Sequence, residues 1–85
     1  MTLTLAPDVV PTDTKDGTVL LDERHGRYFK LNTTGTLVLR TLLDGADLDE
    51  AADLLRQRYG IEPEQAQTDV TGLVTTLITK KLARP

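Results

Sequence analysis

The chain has 85 residues, which suffices for one small domain whose core is too small to enclose a large active site. It contains no cysteine, so disulfides, thiolate metal sites and a cysteine nucleophile are excluded, and a reducing cytoplasm is the expected location. Its formal net charge of -3 argues against a partner bound through a phosphate backbone, because such binding requires clustered Lys and Arg. Since neither a targeting segment nor a bilayer-spanning stretch is recognisable, we expect a soluble protein.

The amino-terminal part of the chain predicts a lead-in followed by an edge strand. Residues 1–8 lack an amphipathic period, so we expect them to be flexible. Val9 to Thr14 has the composition of a strand, and Pro11 restricts that strand to a sheet edge because proline has no amide donor. The Asp16-Gly17 pair that follows is typical of a tight turn into the next strand.

Two further strands are predicted to form a hairpin. They cover Thr18–Asp22 and Arg27–Leu31, and the polar loop Glu23-Arg24-His25-Gly26 joins them through a glycine that can adopt positive φ. Short turns between consecutive strands give an antiparallel meander in which both outer strands are edges.

The length of the loop fixes the register of this hairpin. It sets Asp22 opposite Arg27, Leu21 opposite Tyr28, and Leu20 opposite Phe29. One face, which should meet the helices, then carries Leu20, Phe29 and Leu31. The other face carries Val19, Leu21 and Tyr28.

Three helices are predicted after the sheet, over about 34–43, 48–59 and 63–81. Asp47 and Glu50 fit a capping box for the second helix, and Pro63 suits the first turn of the third helix, where its missing donor is harmless. The result is a small α+β domain over residues 9–82, with a three-stranded antiparallel sheet followed by three helices in a winged-helix-like arrangement.

The apolar arc of the third helix is wider than packing on one side requires. It spans roughly half the circumference, whereas a stripe of about 100° is enough for one packed face. Asp69 lies on one border of this arc, a turn before Leu73. The arc itself comprises Ala66, Val70, Leu73, Val74, Leu77, Ile78 and Leu82. Part of it is therefore surplus to the core.

Enzymatic chemistry has little support in the sequence. His25 is the only histidine, and a solitary histidine in a hairpin loop is more often a solvated turn residue than a base or ligand. The carboxylates around the start of the second helix are explained by capping. No Gly-rich phosphate loop, nucleophile elbow or histidine metal pair is present. We expect no catalytic residues, no metal and no cofactor.

A DNA-reading role is a weaker alternative. The third helix would be the recognition helix, but its cations are confined to its end, at Lys80, Lys81 and Arg84. This is a poor electrostatic footprint for a duplex.

The third strand and the third helix together suggest a peptide-binding groove. In the simplest interpretation, Arg27 and Lys30 are charges that blunt a sheet edge, and Tyr28 and Phe29 serve the core. An uncovered edge beside a surplus apolar arc instead favours an extended peptide that pairs with the strand and inserts alternate side chains along the helix. A homodimer that pairs its edge strands is a further possibility.

A series of short motifs runs along the chain: Leu21-Asp22, Gly26-Arg27-Tyr28-Phe29, Leu31-Asn32, Thr34-Gly35, Leu42, Asp44-Gly45, Tyr59-Gly60 and Asp69-Val70. Through these motifs the chain, from about Val9 to Leu82, resembles the PqqD-like family of precursor-peptide recognition elements. Within that family it most resembles the discrete leader-binding subunit of lasso-peptide systems. It departs from many relatives at Leu39, where they have tryptophan.

The resemblance implies a leader peptide docked as a fourth strand between the third strand and the third helix. On the strand side it implies contacts from Arg27, Tyr28, Phe29, Lys30 and Leu31. On the helix side it implies contacts from Asp69, Val70, Leu73, Val74 and Leu77.

The same resemblance implies partners. For lasso systems these are a leader with a Tyr-x-x-Pro motif and a separate cysteine protease that removes the leader after delivery. The alternative within the family is a chaperone that presents the pyrroloquinoline quinone precursor peptide to a radical SAM enzyme. We expect neither nucleic acid nor membrane as a partner.

Overall fold

The structure is a computed structural model and describes residues 3–85. In chain order the elements are β1 (Thr4–Leu5), β2 (Val9–Thr14), β3 (Gly17–Asp22), β4 (Arg27–Leu31), α1 (Thr33–Leu43), α2 (Leu48–Tyr59), α3 (Pro63–Thr79) and β5 (Ala83–Arg84). A three-stranded antiparallel sheet of order β2-β3-β4 precedes the three helices, which confirms the predicted α+β class. Within the described residues, β2 and β4 are both edges of this sheet.

The β3–β4 hairpin has the predicted register. Asp22 pairs with Arg27, Leu21 with Tyr28, and Leu20 with Phe29. Because side chains alternate between the faces of a strand, the inner face carries buried Leu20 and Leu31 and partly buried Phe29. Leu21 and Tyr28 are exposed on the outer face.

Local caps define the starts of α1 and α2. The side chain of Asn32 accepts a hydrogen bond of 2.9 Å from the amide of Gly35, so α1 begins directly after β4. Asp47 and Glu50 form the predicted capping box of α2, and Gly60 ends that helix in the left-handed conformation with φ 65°.

The core lies between the inner face of the sheet and the helices. α1 packs against β3, β4 and α2, while α2 packs against α3. Leu39, where the family resemblance implies a tryptophan, is buried in this core. The largest fully buried side chains of this core include Leu20, Leu39, Leu42, Leu55 and Leu77.

The amino-terminal segment forms a short strand within residues 1–8, the range that the sequence predicts as a flexible lead-in. Thr4–Leu5 pairs antiparallel with Ala83–Arg84, and the adjacent Leu3 is buried. A strand of two residues is too short to show an alternating pattern, and its partner lies at the opposite end of the chain. Residues 1 and 2 of that prediction lie outside the described residues.

The end of α3 also differs from the prediction, which extends the helix to about Lys81. The helix ends at Thr79, and Lys81 takes the left-handed conformation with φ 60°. The amide of Lys81 donates to the Ile78 carbonyl and that of Leu82 to the Leu77 carbonyl, which is the Schellman pattern. The turn folds Leu82 back into the core, where it is buried.

Candidate functional site

An open groove of about 850 Å³ lies beside β4. Its lining comes from β3 and the β4 edge, the first half of α1, one residue of α2 and the middle of α3, together with the turn between β2 and β3. Apolar side chains line its floor and one wall: Phe29, Leu31, Val38, Leu55 and Leu73. Polar groups line its rim, among them Lys15, Asp16, Lys30, Asn32, Thr34 and Asp69. An apolar floor with a few polar groups at its rim is typical of a ligand-binding site.

The β4 strand presents its outer edge to this groove. It pairs with β3 on one side, and no other strand of residues 3–85 pairs with it. In an antiparallel ladder, successive residues direct their main-chain donor and acceptor alternately to either side. Every second residue of β4 therefore offers an N–H and a C=O group to the groove, which is the requirement for adding one more strand.

The predicted strand-side residues divide between three places. Phe29, Lys30 and Leu31 line the groove. Tyr28 lies on the outer face of the sheet with 65% of its surface exposed, and the Lys30 ammonium lies 6.0 Å from the centre of its ring. Arg27 extends from the hairpin toward the end of α3 instead of lining the groove.

The predicted helix-side residues divide between groove and core. Leu73 is partly buried and Asp69 is exposed, and both line the groove. The Asp69 carboxylate accepts a 2.7 Å hydrogen bond from the Gln65 amide. The remaining three, Val70, Val74 and Leu77, are buried in the core, so their side chains support the groove from behind. The surplus of the apolar arc is thus Leu73 on one border and exposed Ile78 on the other.

A buried carboxylate organises the loop end of the β3–β4 hairpin. Asp22 is 3% exposed, and its Oδ2 accepts a 2.8 Å hydrogen bond from Arg27 Nε and lies 2.9 Å from His25 Nδ1. The Arg27 hydrogen bond lowers the pKa of Asp22 to about 2; burial opposes this shift, and the hydrogen bonds from His25 add to it. His25, predicted as a solvated turn residue, is half exposed and contributes to this cluster.

Sequence reasoning missed the contribution of the β2–β3 turn to the groove. The Thr33 hydroxyl, at the start of α1, donates to the Asp16 carbonyl at 3.4 Å, which brings the turn beside Asn32. Gly17 allows this approach, because a Cβ atom there would overlap the Leu31 carbonyl oxygen. The Asp16-Gly17 pair signals the turn, but no local pattern indicates which element the turn will meet.

Two further classes of site have no geometric basis in the described part of the chain. Among residues 3–85, no three His, Asp or Glu side chains come together as a metal ion would require. None of the helices over this range combines the length and the apolar character needed to cross a membrane.

Comparisons with known proteins agree on one family. The family described as Coenzyme PQQ synthesis protein D (PqqD) matches residues 17–83. A solved structure of lasso peptide synthetase B1, complexed with the leader peptide, is 36% identical, with a TM-score of 0.93 and 100% of both chains covered. TbiB1 in complex with the TbiA(beta) leader peptide is 25% identical, with a TM-score of 0.85, 99% of this chain and 95% of that chain covered. A search of curated proteins finds no match.

Proposed function

The chain belongs to the PqqD family, and from that premise we propose that it is a non-catalytic module that recognises the leader of a ribosomally made precursor peptide. One observation carries the proposal: the open edge of β4 faces the apolar side chain of Leu73 across a groove of about 850 Å³. A strand edge supplies main-chain pairing, and an apolar pocket beside it supplies selectivity for side chains. The complexes of the two similar structures with leader peptides support this proposal.

The leader binds as a fourth strand in this proposal. Its main chain pairs with β4, and alternate side chains enter the groove between Phe29 and Leu73. An aromatic anchor such as the tyrosine of a Tyr-x-x-Pro motif buries about 150 to 250 Å², or roughly 4 to 6 kcal/mol gross at 25 cal/mol per Å². Ordering a flexible leader offsets much of this gain, so we expect a Kd on the order of micromolar.

An affinity of this order suits delivery to a processing enzyme, because a module that delivers a leader must also release it. In lasso-peptide maturation the recipient is a separate cysteine protease that removes the leader. The absence of cysteine here is consistent with the placement of that nucleophile on another chain.

A second candidate is a chaperone for the pyrroloquinoline quinone precursor, which presents its peptide to a radical SAM enzyme. The description of the matched family favours it. The two candidates differ in the peptide that binds, so titration with a Tyr-x-x-Pro leader and with a quinone-precursor peptide distinguishes them.

The binding mode is tested with fluorescein-labelled synthetic leader peptides in a polarisation titration. The peptide is a synthetic leader that contains the Tyr-x-x-Pro motif, and each of its amides is N-methylated in turn. Strand addition predicts that methylation weakens binding at every second residue of the paired segment, because only alternate amides donate to β4. If no single methylation at any position of the leader weakens binding, strand addition is excluded.

A further inference from the structure

The groove does not run along the whole length of β4. From β4 it is lined by Phe29, Lys30 and Leu31, and from α3 by Asp69 and Leu73. No residue of α3 beyond Leu73 lines it. Toward the β3–β4 loop, Arg27 crosses the space between strand and helix and donates to the Lys80 carbonyl. The groove therefore runs beside only the carboxyl-terminal part of β4.

The crossing by Arg27 is held at both ends. At the sheet, its Nε donates to the buried Asp22 carboxylate at 2.8 Å. At the helix, it meets the carbonyl of the residue that caps α3, where the helix dipole favours a cation. A second contact runs from the end of α3 to β4: the Lys80 ammonium lies 6.0 Å from the centre of the Phe29 ring.

An arginine is suited to this position for a geometric reason. Its guanidinium carries N–H donors that point in different directions, so one group can bond a carboxylate and a carbonyl together. Withdrawal of Arg27 would leave the buried Asp22 carboxylate with His25 alone. Separation of a buried charge from its partner is costly, so the crossing resists displacement by a bound peptide.

We propose that Asp22, Arg27 and the Lys80 carbonyl form an end stop that determines how many leader residues pair with β4. The added strand pairs beside Phe29–Leu31 and leaves the sheet before it reaches Arg27. This inference rests on the proposed function. It adds a determinant of specificity, the end stop, which leader binding by itself does not require.

The wild-type protein provides the first test, by titration of ¹⁵N-labelled protein with the synthetic leader in two-dimensional NMR. We expect amide shifts at 29–31 and 69–73, little change at 78–80, and an Arg27 Nε–H signal that persists in the complex. Shifts that extend to 78–80, together with loss of the Arg27 signal, would overturn the end stop while leaving leader binding intact. Absence of shifts anywhere in the groove would overturn the proposed function and the end stop with it.

A variant provides the second test. Arg27→Gln removes the charge and shortens the reach, and Arg24→Gln in the exposed loop is the matched control. Leader peptides shortened stepwise from each end are titrated against each protein. For wild type and control we expect a plateau, beyond which extra residues at the end next to Arg27 change Kd by less than about twofold. For Arg27→Gln we expect those residues to tighten binding by about fivefold or more. The same plateau in all three proteins would overturn the proposal.

Discussion

Leu73 differs from its apolar neighbours on α3 because its side chain is only partly buried. Val70, Val74 and Leu77 belong to the core, whereas Leu73 lies on the wall of the groove opposite Phe29. A charge at this position stays in contact with water in the free protein. It becomes fully desolvated only when a peptide covers it, so its cost falls mainly on binding.

Leu73→Glu should therefore weaken leader binding by about 100-fold or more, since burial of an unpaired carboxylate costs several kcal/mol. The measurement is the polarisation titration, with circular dichroism to verify that the variant is folded. Thr75→Glu is the matched control, because it places the same charge at an exposed position of the same helix. Normal binding by Leu73→Glu would contradict this location for the site.

Asp22 predicts how stability depends on pH in the acid range. Its pKa is lowered from 3.8 to about 2 in the folded chain, so folding favours the ionised carboxylate. The stabilisation is complete above about pH 4 and is lost as the pH falls toward 2. Asp22→Asn should therefore lose stability at neutral pH and show a smaller further decrease in Tm over this acid range. Glu23→Gln, in the exposed loop, should keep the wild-type acid slope; an unchanged slope in Asp22→Asn would disprove the assignment.

At the scale of elements, two glycines have opposite roles. Gly17 has φ 154°, and a Cβ atom there would overlap the Leu31 carbonyl oxygen where β3 meets the end of β4. Gly72 lies inside α3, and a Cβ atom there would have open space around it. The first glycine is required by the packing of the turn, whereas the second only adds flexibility to the unfolded chain.

Urea denaturation should separate these roles. Gly17→Ala should lower the free energy of unfolding by about 2 kcal/mol or more, because a backbone oxygen cannot move aside cheaply. Gly72→Ala should raise it by about 0.5 to 1 kcal/mol, through reduced entropy of the unfolded chain and better helix propensity. Destabilisation of similar size in both variants would show that the close approach at Gly17 is not the cause.

The elements that the sequence predicts correctly are those with local signals. The hairpin register follows from the loop 23–26, and the start of α2 follows from the spacing of Asp47 and Glu50. The pairing of β1 with β5 joins the two ends of the chain, and no local pattern encodes it. The turn after α3 could not be predicted from the sequence, because Lys81 occupies the left-handed position where glycine is usual.

The candidate site was predictable in outline but not residue by residue. The edge of β4 and the excess width of the apolar arc on α3 can both be read from spacing. Which members of that arc face the core depends on how α2 covers α3, and this places Val70 and Leu77 inside. The roles of Asp22 and Lys80 depend on a contact between distant parts of the chain.

For the whole molecule, leader binding should stabilise the fold by mass action. A peptide at about 100 times its Kd contributes about 2.7 kcal/mol, which for a domain of this size raises Tm by roughly 10 °C or more. Differential scanning fluorimetry with increasing leader concentration measures the shift. A peptide of the same composition in scrambled order should give little shift, and equal shifts from both would contradict specific recognition.

The two margins of the sheet are not equivalent. Pro11 in β2 removes a donor from one margin, while β4 carries no proline in its five residues. A sheet receptive on both sides could propagate from copy to copy into a ribbon, as in fibrillar assemblies. Because Pro11 disfavours pairing at the β2 margin, the sheet can grow by only one added strand. The fold can therefore bind an extended chain without polymerising.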